Sequence, residues 1–435
     1  MHRIKTHKER VKSLFIVILS LSAVFLGLRT GLFDEPLRAG GFGGGVPPLA
    51  ITGQASPAAF PRAIMASLGF GSYHGQRMDG QGGRHDTGLF ALYHLFAGSL
   101  GEALGSSSPS EPVSLEAWET ALTGAGVFFQ YDVEISGTVL AGWLRTEVGG
   151  ADGAMQRMVL SLQQGAVYLY YMGRDGIPHR SETAVDASTL HETLDTFEPN
   201  GAQYGFQIPA FTGADPFTLV LARYDGIPVI TQSNTMADIF RQLDIVLGRF
   251  GMHLSMARYL DESGVRTMVE EGATLRLSES GLIHYHCQAD VPRLAVWEEG
   301  ERPLSGAIEA AREIAHVLER FSGEANVQLS NWYLASGYLD GSVILYFSYY
   351  LGGIPIWMDS PAATVVIRGR YVREVTLFAR SFARTGEYSA VMPEVQAAAA
   401  AGEAELVLSY VSTEDDTLRT HWLTQPIERE EPTDG

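Results

Sequence analysis

"GATLRLSESGLIHY" (residues 272–285) and "PAATVVIRGRYVREV" (residues 361–375) are one pattern written twice. In each, two runs alternate apolar and polar residues about a turn, Glu279-Ser280-Gly281 in the first and Arg368-Gly369-Arg370 in the second. Alternation with period two marks a half-buried strand, and glycine between two such runs marks a hairpin. The match extends upstream. A second hairpin precedes each copy: "MARYLDESGVRTMVEE" (256–271) about Glu262-Ser263-Gly264, and "WYLASGYLDGSVILYFSYY" (332–350) about Asp340-Gly341. Before these stand amphipathic helices, "TMADIFRQLDIVLGRFGM" (235–252) and "SGAIEAAREIAHVLERFSG" (305–323), each with Arg-Phe near its end. One helix and one hairpin leave apolar surface bare, whereas four strands under a helix can enclose a core. The pattern predicts a duplicated α-β-β-β-β module, a helix lying across one face of a twisted antiparallel sheet.

Residues 87–212 predict a separate α+β domain. "TGLFALYHLFAGSLGEALG" (87–105) has helical apolar spacing, and "SLEAWETALTGAG" (114–126) is a second helix with Ser114 as N-cap and Gly124 as stop. "GVFFQYDVEI" (126–135) switches to a strand, "TVLAGWLR" (138–145) is a short helix, and "MQRMVLSLQQGAVYLYYMG" (155–173) is two strands about Gln164-Gly165. Gly-Ile-Pro occurs at 176–178, 226–228 and 353–355. Proline lacks an N–H and glycine relaxes a bend, so the motif marks where a strand leaves its ladder. Residues 34–86, crowded with glycine and poor in periodicity, read as an irregular linker. Within it "GFGGGV" (41–46) lacks the lysine and spacing of a phosphate loop. The expected organisation is therefore 1–33 leader, 34–86 linker, 87–212 first domain, 213–300 and 301–424 the two modules, and 425–435 a disordered tail.

Charge is placed unevenly. The net value is −19, yet all three lysines, Lys5, Lys8 and Lys12, lie in the leader with Arg3 and Arg10. Directly after them, "SLFIVILSLSAVFLGL" (13–28) carries no charge. Counted on to Phe33, the segment is long enough as a helix to cross the hydrocarbon layer of ~30 Å, with Arg29 snorkelling to the headgroups. It is either a cleaved signal peptide or an uncleaved anchor; no small-x-small cleavage site favours the first. Basic residues ahead of the helix hold the N-terminus in the cytoplasm and place the acidic body outside. Ser20, Ala23, Gly27 and Gly31 share one face of that helix, a face that lets another helix approach closely.

Catalytic signatures are absent from the sequence. The single cysteine, Cys287, excludes an intramolecular disulfide. His284 and His286, two apart on a strand, share a face and could begin a zinc or copper site, but no third ligand has matching spacing. No Gly-x-Ser-x-Gly or Ser-x-x-Lys occurs, and the acidic clusters "EEG" and "STEDDT" fall in turns. So acidic a body, without a basic stripe, excludes nucleic acid as a natural partner. The expectation is a protein that is not an enzyme and takes no cofactor.

Three stretches, "KERVKSLFIVILSLSAVFLGL", "LGEALGSSSPSEPVSLEAWETALTGAGVFFQYDVEISGTVLAGWL" and "YLDESGVRTMVEEGATLRLSESGLIHYH", resemble the YycH family. Its members are bitopic proteins of Gram-positive bacteria that regulate the WalK (YycG) sensor histidine kinase. "YYLGGIPIWMDSPAATVVIRGRYVREVTLFARSF" is similar to the related YycI proteins. The resemblance implies an accessory protein that meets the kinase through membrane helices, with a YycI-like paralogue as a second partner. Against it stand an extracytoplasmic module that binds a peptide or cell-wall fragment at an exposed strand edge, and, third, a secreted hydrolase.

Overall fold

The structure, a computed structural model, describes residues 57–426 apart from 80–87, 210, 212–214, 222–225, 254–256, 261–263, 289–290, 292, 298–303, 336–341, 402–403 and 414–416. The leader with Ser20, Ala23, Gly27 and Gly31, the stretch 34–56 and the end 427–435 lie outside the described residues.

Just past Arg62, strand β1 (Ala63–Leu68) turns through Gly69, Phe70 and Gly71, all at positive φ, into β2 (Tyr73–Gln76). Over 63–76 this corrects the expectation of an irregular linker spanning 34–86. Ile64 and Ala66 enter one core and Ala63 and Met65 another. A strand buried on both faces shows no alternation, and so gives no period-two signal. Then follow α1 (Leu89–Ser106), β3 (Glu111–Pro112), α2 (Leu115–Thr123), β4 (Ala125–Ser136), α3 (Gly137–Trp143), β5 (Ala154–Gln163), β6 (Ala166–Met172), β7 (Pro178–Glu182) and α4 (Ala187–Leu194). Ser114 caps α2, its hydroxyl accepting the Ala117 N–H at 3.2 Å, and Gly124 stops it. Gln164 and Gly165 make the β5–β6 turn with φ of 52° and 80°. The seven strands run in the order β2-β1-β4-β5-β6-β7-β3, each pair antiparallel. Helices α1, α3 and α4 fill one face of the sheet. Trp118 and Ala121 of α2 pack on the other, beside the small pair β8 (Gln203–Tyr204) and β9 (Leu219–Val220).

Strand β10 (Ile227–Asn234) leads into α5 (Met236–Arg241) and α6 (Leu243–Arg249). The single helix expected over 235–252 is thus broken at Gln242, where φ is −119° and ψ 38°. Then come β11 (Ala257–Leu260), β12 (Arg266–Glu270), β13 (Ala273–Leu277), β14 (Leu282–Cys287), α7 (Leu304–Ala315), β15 (Asn326–Ala335), β16 (Ser342–Leu351), β17 (Ile354–Pro355), β18 (Ala363–Arg368) and β19 (Tyr371–Phe378). They form one sheet in the order β11-β12-β13-β14-β19-β18-β16-β15, with β17 paired to β16. Both stretches run helix, then hairpin, then hairpin. Their last strands meet: β14 pairs antiparallel with β19, Tyr285 opposite Val375. The inner face is apolar, Leu275, Tyr285, Val375, Val365 and Leu345 forming one buried row. Phe250, after α6, stacks on Tyr285 with ring centres 4.8 Å apart, and α7 buries Ala307, Ile308, Ala311 and Ile314 in the same core.

The chain closes with β20 (Arg380–Ser389), α8 (Glu394–Ala401), β21 (Ala404–Ser412) and β22 (Thr417–Pro426). These make a four-stranded sheet, β20-β10-β22-β21, into which β10 is inserted from far upstream. The boundaries expected at 212/213 and 300/301 therefore do not mark off independent bodies: the described residues form one unit. The segment 213–300 gives β10 to one sheet and β11 to β14 to another, and each sheet is completed by strands from beyond residue 301. Strand β22 also runs two residues into the expected tail.

Candidate functional site

The three Gly-Ile-Pro motifs stand where strands begin rather than where one leaves its ladder: Pro178 starts β7, Ile227 starts β10 and Ile354 starts β17. The third does more. Gly352 and Gly353 lie at φ 59° and 83°, and the Gly352 carbonyl accepts the Asp79 N–H at 3.0 Å. A Cβ on Gly353 would stand 2.7 Å from Leu89 Cδ2 and 3.2 Å from the Arg77 carbonyl oxygen. The turn is where the seven-stranded sheet meets the larger one.

Buried charges cross the same joint. Arg62 donates from Nη1 to Asp132 Oδ1 at 3.0 Å and from Nη2 to Glu405 Oε1. The Tyr350 hydroxyl donates to Asp132 Oδ2 at 2.9 Å. Arg77 pairs with Glu394 at 3.1 Å, and the Leu221 N–H donates to the other oxygen of that carboxylate at 2.6 Å. Burial pushes the Glu405 carboxyl up, but Arg62 and Arg157 outweigh it and hold the group below its ordinary range. Burial, reinforced by the neighbouring Asp132, drives the Tyr350 hydroxyl well above its ordinary value. These groups link β1, β4, β16, β21 and α8, and each is matched by an opposite charge or a donor, as buried charge requires. Their arrangement fixes one sheet against another; it presents no activated nucleophile. Sequence reading missed them: Asp132 shares its strand with Gln130 and Glu134, and nothing local marks it out.

The second feature is the outer face of the large sheet. Among the described elements, α5, α6 and α7 all lie on the inner face. Register places Tyr259, Thr267, Arg276, His284, Thr376, Thr364 and Tyr346 opposite one another in a single outer row, strand by strand from β11 to β16. Tyr259 is 62% exposed, Arg276 is exposed, and the rest of the row is half-buried. His284 and His286 share this face as expected, with Cys287 buried on the other. His284 Nε2 lies 3.1 Å from Glu374 Oε1, and His286 stands opposite Glu374 in register. Among the described residues no group of three or more His, Cys, Asp or Glu side chains is placed to hold a metal ion, and no helix is long and apolar enough to cross a membrane.

No known protein family matches the sequence, and no curated protein matches it. The fold is similar to that of YycH from Bacillus subtilis, with a TM-score of 0.53 over 85% of this chain and 94% of that one, at 11% sequence identity. The chain thus has a YycH-like fold, and at that identity the likeness is one of fold.

Proposed function

We propose that this chain is a membrane-anchored extracytoplasmic accessory protein that regulates a sensor histidine kinase of the WalK type through contacts between membrane helices. The observation that carries the proposal is the YycH-like fold across most of the chain. The stretches of the leader, the first domain and residues 259–286 that resemble the same family agree with it, and the last module resembles the related YycI proteins. The leader supports the topology: five cationic side chains precede an uncharged run, and the remaining chain is strongly acidic. Ser20, Ala23, Gly27 and Gly31 form the helix face that meets the kinase, with close backbone approach as the source of affinity. A YycI-like paralogue is the second partner.

Replacing Ala23, Gly27 and Gly31 together by Ile tests this in a bacterial membrane two-hybrid with the kinase. The bulky side chains hold the helices apart, so association falls to background while membrane insertion persists. Undiminished association removes this helix face from the mechanism. Recovery of the mature chain from the medium, shortened near residue 33, removes the anchor itself.

A further inference from the structure

A sheet face left uncovered by its own helices is ordinary when it is merely polar. The outer row from Tyr259 to Tyr346 is polar in a particular way. Every member carries a side-chain hydrogen-bonding group and none is a carboxylate, in a chain with 50 Asp and Glu and a net charge of −19. It holds a guanidinium and an imidazole at its centre, Arg276 and His284 in register. The nearby acid, Glu374, is engaged with His284 at 3.1 Å. Tyrosines stand at both ends: Tyr259 at one, and at the other Tyr346, whose hydroxyl is 3.0 Å from that of Tyr333 with ring centres 5.8 Å apart. Seven strands at a spacing of ~4.8 Å make the row about 29 Å long.

We infer that this row binds a linear acidic glycan lying across the strands. An extended β-linked glycan advances by close to one strand spacing per ring, so successive sugars meet successive strands. The rings at the two ends offer apolar faces to Tyr259 and Tyr346, and those between offer hydroxyls to the threonines. Arg276, exposed at the centre of the row, supplies the cation for its carboxylates, and His284, held by Glu374, a ring N–H or lone pair for its hydroxyls. A peptide fits this face poorly, since peptides seat on strand edges or in helix-sized grooves, and the row offers neither. The inference is independent of the kinase proposal: it concerns what the extracytoplasmic body holds, and the two fail separately.

Calorimetric titration of the full chain in detergent tests it, with a hyaluronan octasaccharide as probe, chitohexaose as its neutral counterpart and an oligoglutamate as the acidic peptide. The octasaccharide binds, and chitohexaose binds about tenfold more weakly. Arg276→Glu and Tyr259→Ala each weaken the octasaccharide by about tenfold without shifting the melting temperature, both side chains being exposed. Failure of the octasaccharide to bind, equal binding by either variant, equal binding of chitohexaose, or tighter binding of oligoglutamate each overturns the inference. Kinase association that persists beside any of these outcomes leaves the earlier proposal standing.

Discussion

Arg62 shows what one buried side chain does when it is the cation for two half-buried acids. Replacing it by Leu leaves Asp132 and Glu405 without it, and breaking a buried pair from one side costs ~3–5 kcal/mol. Arg62→Leu is expected to lower the urea midpoint accordingly; a loss under ~1 kcal/mol would mean that solvent reaches the joint. The pH dependence has a definite sign. Glu405 has a folded pKa below its unfolded value of ~4.3, so its contribution is complete above that pH and is lost as pH falls through the folded pKa. Glu405→Gln should therefore flatten the acid limb of the stability curve below about pH 4.3, and parallel curves for variant and parent would assign the acid limb to other carboxylates. Little of this was legible beforehand. Asp132 is one of two acids in its strand, and Arg62 and Glu405 are 343 positions apart, with nothing local to tie them together.

Turns and caps, one level up, were the most legible. Ser114, Gly124 and the Gln164-Gly165 turn act within a few residues of themselves, and the structure places each where its type demands. Gly-Ile-Pro was readable as strand punctuation for the same reason. That its third copy also seats one sheet on another was not, because the contact is with Leu89 and Arg77. Two substitutions separate these roles. Gly369 has φ 58° with open space about it, so Gly369→Ala costs ~1 kcal/mol, the left-handed strain alone. Gly353→Ala adds a clash with Leu89 and the Arg77 backbone and is expected to cost ~2–4 kcal/mol. Equal losses in thermal unfolding would show the joint yielding freely.

Across the whole molecule the two helix-and-hairpin stretches share one sheet, and the seam is β14 against β19. Neither stretch is complete alone: cut at residue 300, β14 becomes a bare edge and β10 loses both neighbours. A fragment spanning 213–300 is therefore expected to show no cooperative unfolding by circular dichroism, and a sharp transition from it would restore the two-domain organisation. The amino-acid sequence alone determined the strands of the two modules, their hairpins, the helix caps and the repeated order of elements. Each of these is fixed by periodicity and turn chemistry among near neighbours. Tertiary structure alone decided that the modules fuse edge to edge, that β10 enters the last sheet, that β1 and β2 belong to a core and that Arg62 finds its acids. Those choices depend on burial and backbone pairing between residues far apart in the chain, where a local pattern carries no record of its partner.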